Sequence, residues 1–264
     1  MSTPGTLSVQ VYSVRDAYAA DPAAALQRLR DIGFRHVEPF GLGEAGGAAK
    51  ATALRAHLDA AGLKASAVHA SLPEDLDELV EQLRTLDVDT VFVPVPAAVH
   101  GFADKGFDSG VFDDADTLDA FTDALLQAAA TLRGSGISLG YHNHWWEWAE
   151  LPGGQLGYDR FWDRAGDGLL AELDVYWARA AGQDPAQVLA RLGSRAASLH
   201  LKDGPAVPDQ PQGPFGSGVV DVPGAIAATG ARWHVAEVDT TDGDPFDLIA
   251  GNVAALREQG LSDF

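Results

Sequence analysis

The chain has 264 residues, 46 % of them hydrophobic, with 18 basic against 38 acidic side chains and a formal net charge of −20. That length can bury one substantial α/β core, while so acidic a surface repels nucleic-acid phosphates and anionic lipid. Cysteine is absent, which excludes disulfides, thiolate nucleophiles and sulfur-ligated metals, so any metal must take oxygen and imidazole ligands.

The opening MSTPGTLSVQ lacks the basic and apolar regions of a signal peptide, and no apolar run is long enough to span a bilayer. A cytoplasmic protein with no membrane or nucleic-acid partner is therefore expected. Eight short β-branched runs then alternate with Ala/Leu-rich stretches at helical spacing.

LSVQVY (7–12) is the first predicted strand, followed by Arg15 and a helix over 22–33. RHVEPF (35–40) brings Glu38, a helix covers 50–62, and KASAVHA (64–70) brings His69. After a helix at 76–87, TVFVPV (90–95) runs into a long connection (97–116) and a helix over 115–136. ISLGYHNH (137–144) is the fifth strand, and LLAELDV (169–175) the sixth. A helix at 185–193, ASLHLKD (197–203), a second long connection (204–221), a helix at 222–230 and WHVAEVD (233–239) complete the order. Several helices stop at glycine, as a left-handed C-terminal position prefers.

Eight such units predict a single (β/α)8 TIM barrel over residues 1–264, in preference to a doubly wound sheet. GxGxxG and GxxxxGK[ST] are both missing. The two long connections follow strands, on the face where barrel active sites are built, and would act either as lids or as plain surface loops.

The chemistry concentrates where Asp, Glu and His interrupt apolar strand ends, since an unpaired buried charge is costly. Alternation puts His142 and His144 on one face, His200 and Lys202 on another, and Glu237 with Asp239 on a third; the sixth strand supplies Asp174. Two carboxylates, an imidazole and a fourth group from the fifth strand would converge on one divalent ion: manganese, cobalt, zinc, iron or magnesium. Glu38 and His69 end early strands on the same side and are candidates for substrate contact or for a structural hydrogen bond, His69 also for proton transfer. Tyr12 and Arg15 are candidates for the far wall, the arginine for an oxyanion or carboxylate, or else they close the bottom of a loop network. All six tryptophans lie between 145 and 233. Packing accounts for most of them, with Trp146 and Trp177 the candidates for an aromatic wall against a sugar ring.

As a set, QVYSVRD (10–16), GFRHVEPF (33–40), YHNHWWEW (141–148), ELDVYWARAAG (172–182), HLKD (200–203), GSGVVD (216–221) and WHVAEVD (233–239) resemble the sugar phosphate isomerase/epimerase superfamily of xylose isomerase-like barrels. The resemblance spans almost the whole chain. It implies a divalent ion held by Asp174, His200 and Glu237. Many members place a glutamate inside the fifth strand, where this chain has YHNH, so His142 fits by position and Glu147 by chemistry.

The resemblance further implies a sugar, sugar phosphate or keto-polyol substrate, with proton transfer next to a carbonyl through an enediolate. Glu237 and Glu147 or His142 would be the proton-transfer pair, and Lys202 would stabilise the oxyanion, orient Asp203 or form a plain ion pair. A dehydratase, with His144 or His69 as the acid, and a non-catalytic sugar-binding barrel are the alternatives. Related barrels are often dimers or tetramers, which leaves a homo-oligomer open.

Overall fold

The computed structural model describes residues 5–44, 46–105 and 110–263. Seven parallel strands form one sheet in the order β1 (Thr6–Val9), β9 (Trp233–Ala236), β8 (Ala196–Leu201), β7 (Leu170–Asp174), β6 (Ser138–His142), β5 (Thr90–Val93) and β4 (Val68–His69). The gap between its two edges is closed by β2 (His36–Val37) and β3 (Lys64–Ala65), a second parallel pair. Bridges Gln10↔Glu38 and Leu42↔Ala70 tie this pair to the sheet on either side. Since β3 and β4 are two pieces of the third barrel position, the ring holds eight positions, in chain order, as a (β/α)8 barrel requires.

Local chemistry explains where the strands stop. In RHVEPF the ladder of His36 and Val37 continues only as the Glu38 bridge, because Pro39 has no N–H to donate. At the fifth position Gly140 is required by close approach, since a Cβ there would meet the Phe92 ring at 2.4 Å and the Leu170 carbonyl at 2.7 Å. Outward-pointing Tyr141 then packs with Phe112, Phe121 and Phe161, which turns its sequence neighbours Gly140 and His142 toward the barrel interior.

The outer layer follows the sequence closely. α2 (Pro22–Ile32) opens on Asp21, whose carboxylate accepts from Ala24 N–H, and ends at Gly33 with φ +116°. Leu26 and Leu29 on its inner face are fully buried. α3 (Gly47–Ala61), α4 (Asp77–Leu86), α5 (Ala115–Arg133), α8 (Pro185–Leu192) and α9 (Val222–Ala227) cover the helical stretches read from spacing. The structure adds α1 (Arg15–Ala20), α6 (Gly157–Ala165), α7 (Val175–Ala180) and α10 (Pro245–Gln259). Among the described residues no helix is long and apolar enough to cross a membrane.

Of the two long connections, 97–116 contributes Ala97 and Ala98 to the main cavity and sends Val111 and Phe112 into the core; its residues 106–109 lie outside the described residues. The connection 204–221 does not line that cavity. It is gathered instead around Asp203, whose carboxylate accepts from the N–H groups of Gly204, Gly216, Gly218 and Val220.

Candidate metal centre and cavity

A cavity of about 490 Å³ opens beyond the C-terminal ends of the strands. Its wall includes Tyr12, Phe40, His69, His142, His144, Trp177, Glu237 and Asp239, with Pro94, Val95, Ala97 and Ala98 as an apolar side. Asp174, His200 and Lys202 form the buried layer beside it, each 1 % exposed or less.

Each of these side chains is placed by local structure. Asp174 ends β7 and caps α7: its Oδ1 accepts from Trp177 N–H at 2.9 Å, while Oδ2 faces Lys202 Nζ at 2.7 Å. Asn143 clips the neighbouring strand end, accepting from Asp174 N–H and donating to the Asp174 carbonyl. His200 is held at both ring nitrogens, with Nδ1 2.6 Å from Glu237 Oε2 and Nε2 2.7 Å from Glu38 Oε2.

Two groups of buried side chains have one ligand atom each within 4.8 Å of all the others. The first is His142, Asp174, His200 and Glu237; the second is His69, His142, Glu172 and His200. The first group contains the three ligands that the sequence assigned to the sixth, seventh and eighth strands, and it takes His142 from the fifth. Glu147 belongs to neither group. It is fully buried one turn beyond β6, where its oxygens accept from Tyr141 O–H at 3.0 Å and His144 N–H at 2.9 Å. Burial pushes its pKa up to about 8, so it carries a proton at neutral pH and braces the YHNH turn.

The donor set fits a divalent cation. Burial, reinforced by His200, lowers the His142 pKa to about 3, which leaves a neutral ring with a lone pair to give. Burial acts to raise Glu237, yet Lys202 and His200 outweigh it and keep the carboxyl well below its ordinary value, ionised. Burial pushes Asp174 up to about 6 and, with Glu172 beside it, Glu38 up to about 7. Four buried carboxylates, Glu38, Glu172, Asp174 and Glu237, meet His69, His142 and His200, with Lys202 paired to Asp174 and Glu237, a concentration of oxygen and imidazole donors that suits a divalent ion. Nothing in two imidazoles and two carboxylates selects among manganese, cobalt, zinc, iron and magnesium.

Other sequence candidates are redistributed. Lys202 is an ion-pair hub: its Nζ lies 2.7 Å from Asp174, 2.6 Å from Glu237 and 2.7 Å from Asp239. Burial would lower its pKa, but these carboxylates hold it well above the ordinary value. It does not touch Asp203, which organises the 204–221 connection. Glu38 is fully buried and bonded to Gln10 Nε2 and His200, so it supports the histidine and does not reach the cavity. Arg15 donates to the carbonyls of Tyr12 and Asp239 and lines a separate surface pocket. Trp146 stacks on His144 at 4.2 Å, one ring removed from the cavity that Trp177 lines.

Sequence reasoning passed over Glu172. It stands two residues before Asp174 on the same face of β7, and its Oε2 lies 2.6 Å from His69 Nε2. The signal was present as the alternation E-L-D within an apolar strand. Phe40, Pro94, Val95, Ala97 and Ala98 were also passed over, because apolar cavity walls look like core in a sequence.

A strand-order-preserving barrel with a buried imidazole–carboxylate set at its C-terminal mouth is a metal-site barrel of the kind that carries enzyme active sites. The family model described as xylose isomerase-like TIM barrel matches residues 26–258, and the chain belongs to that family. Among solved structures, a sugar phosphate isomerase/epimerase from Parabacteroides distasonis is 21 % identical with a TM-score of 0.79, over 99 % of this chain and 96 % of that one. An L-ribulose 3-epimerase is 16 % identical at TM-score 0.66, over 97 % and 94 %. The probable 3-DHS dehydratase AsbF from Bacillus anthracis is 12 % identical at TM-score 0.69, over 96 % and 98 %. At these identities the likeness carries the fold. No curated protein matches the chain.

Proposed function

We propose that this protein is a divalent-metal-dependent isomerase or epimerase of a sugar, sugar phosphate or keto-polyol, acting by proton transfer next to a carbonyl. The observation that carries this reading is the buried group His142, Asp174, His200 and Glu237 against a cavity of about 490 Å³, a volume suited to a small metabolite. A bound divalent ion would supply positive charge against the enediolate.

The chain's own residues supply the rest. Glu237, ionised and lining the cavity, takes the proton from carbon. Burial would lower His69, but Glu38 and Glu172 outweigh it and hold its pKa above the ordinary imidazole value. His69 therefore keeps a proton to return from three strand positions away. Trp177, Tyr12 and Phe40 offer apolar faces to a sugar ring, with Asp239 and His144 beside them to bind hydroxyls.

Mass separates the related reactions. Manganese-loaded protein is incubated with a panel of keto-sugars, keto-polyols and their phosphates in deuterated water, and the products are read by NMR and mass spectrometry. Deuterium at the carbon next to the carbonyl, with no water lost, is the expected result. Loss of one water would instead make His69 the acid of a dehydratase. Ligand binding without exchange on any substrate would overturn the catalytic reading in favour of a sugar-binding barrel.

A further inference from the structure

Glu172 has no place in the ligand group nearest the cavity, yet three imidazoles converge on one of its oxygens. Its Oε2 lies 2.6 Å from His69 Nε2, 3.2 Å from His142 Nδ1 and 3.2 Å from His200 Nε2. The opposite nitrogens of two of these rings face the other way, His142 Nε2 toward Asp174 Oδ2 at 3.8 Å and His200 Nδ1 toward Glu237 Oε2 at 2.6 Å. Glu172 and Asp174 project from the same face of β7, two residues or about 6.6 Å apart along the strand. Both rings therefore sit between two carboxylate layers, one deep in the barrel and one at the cavity.

We propose that Glu172 is a positioning residue that fixes the tautomer of His142, turning the lone pair of its Nε2 toward the group formed by Asp174, His200 and Glu237. The proposal rests on the metal-centre reading above and deepens it.

A carboxylate oxygen only accepts. A bare ring nitrogen buried against it would set lone pair against lone pair, so a nitrogen facing Glu172 carries the hydrogen. A neutral His142 ring then has its lone pair on the far side, at Nε2, which faces Asp174 Oδ2 at 3.8 Å, whereas both nitrogens of His200 meet carboxylate oxygens and carry hydrogens. Outer carboxylates act on metal-bound imidazoles in this general way. The two rings differ in how far they depend on Glu172. His200 Nε2 is shared with Glu38 at 2.7 Å. His142 Nδ1 has no acceptor aligned for a hydrogen bond, and Glu172 is the one carboxylate among the described residues within ion-pair distance of it. His142 is thus the ring on which Glu172 acts alone.

The test uses full-length protein labelled with ¹⁵N-histidine. Long-range ¹H–¹⁵N correlation on the metal-free protein reports the His142 tautomer, and competition with a chelator reports zinc affinity. Wild type is expected to carry the His142 proton on Nδ1. Glu172→Gln, which offers an amide N–H₂ to the same rings, is expected to shift that proton toward Nε2 and to weaken zinc about 10- to 100-fold. Glu172→Asp, which keeps an acceptor-only carboxylate at the expense of shape, is expected to retain the tautomer and to bind zinc more tightly than the Gln variant. A wild-type proton on Nε2 overturns the proposal, as does a Gln variant with unchanged tautomer and affinity. A wild type that binds none of manganese, cobalt, zinc and magnesium overturns the metal-centre reading, and the His142 tautomer still decides the positioning role. Should the Gln variant fail to fold, the wild-type and Asp spectra decide: Nδ1 protonation in both supports the positioning role, and Nε2 protonation in the wild type overturns it.

Discussion

Replacing Glu147 by glutamine separates a ligand from a brace. In the folded protein burial raises the Glu147 pKa from 4.5 to about 8, so the native state favours the neutral acid. Its contribution to stability is complete below pH 4.5, falls as pH rises because the unfolded chain releases the proton first, and is lost above pH 8. A shift of roughly 3.5 units corresponds to an upper figure of about 5 kcal/mol over that window, of which about 3 kcal/mol falls between pH 6 and pH 8. Glutamine cannot titrate, but it offers one acceptor where the carboxyl serves both Tyr141 O–H and His144 N–H. One buried donor then loses its partner, at about 1–3 kcal/mol. Urea unfolding near pH 6 and near pH 9, with elemental analysis of both proteins, reads the outcome. The variant should be less stable near pH 6, close the gap near pH 9, and keep its metal. A variant that loses its metal, or a gap equal at the two pH values, would refute the assignment of Glu147 to the turn.

Three further substitutions probe the surroundings. Lys202→Met leaves three carboxylates facing a buried apolar tip and should cost about 3–5 kcal/mol; manganese at a hundredfold excess over Kd should return about 2.7 kcal/mol in thermal unfolding. A variant as stable as wild type without metal would contradict the ion-pair hub. Asp203→Asn weakens the hold on four backbone N–H groups and should speed limited proteolysis within 204–221 while metal stoichiometry stays the same. His234 sits at the opposite end of the barrel, bonded to Ser262, and burial lowers its pKa from 6.5 to about 4. The native state favours the neutral ring, so its stabilising effect is full above pH 6.5 and is lost as pH falls toward 4, by about 3 kcal/mol. His234→Gln should flatten that part of the stability profile, and an unchanged slope would show that other groups carry it.

The barrel was legible because its signals are local. Alternating strands, glycine stops such as Gly33 and the repeat of eight units lie in contiguous residues, and each strand position falls within or beside the run read for it. The buried group of Asp174, His200 and Glu237 was legible for the same reason, as charges interrupting apolar strands. The choice between His142 and Glu147 depends on whether the chain leaves the barrel interior before residue 147, and the Tyr141–Glu147 and Asn143–Asp174 bonds that decide it are not contiguous in sequence. For Glu38 the sequence leaves substrate contact and a structural hydrogen bond equally open, because a strand-end acid has the same sequence context whether it meets substrate or a buried histidine. Helix α10 escaped because its stretch gives a weak polar–apolar contrast, with small residues such as Ala250 and Gly251 between the buried Ile249 and Val253.

The central claim is that His142, Asp174, His200 and Glu237 hold one divalent ion beside the cavity. Its most direct test is calorimetric titration of chelator-stripped protein with manganese, cobalt, zinc and magnesium in turn, for wild type and for the double variant Asp174→Ala, His200→Ala. The expected result is about one ion per wild-type chain for at least one of these metals, and none at the same concentrations in a double variant whose circular dichroism shows the barrel intact. A wild type that takes up none of the four metals, or a folded double variant that binds as wild type does, would contradict it.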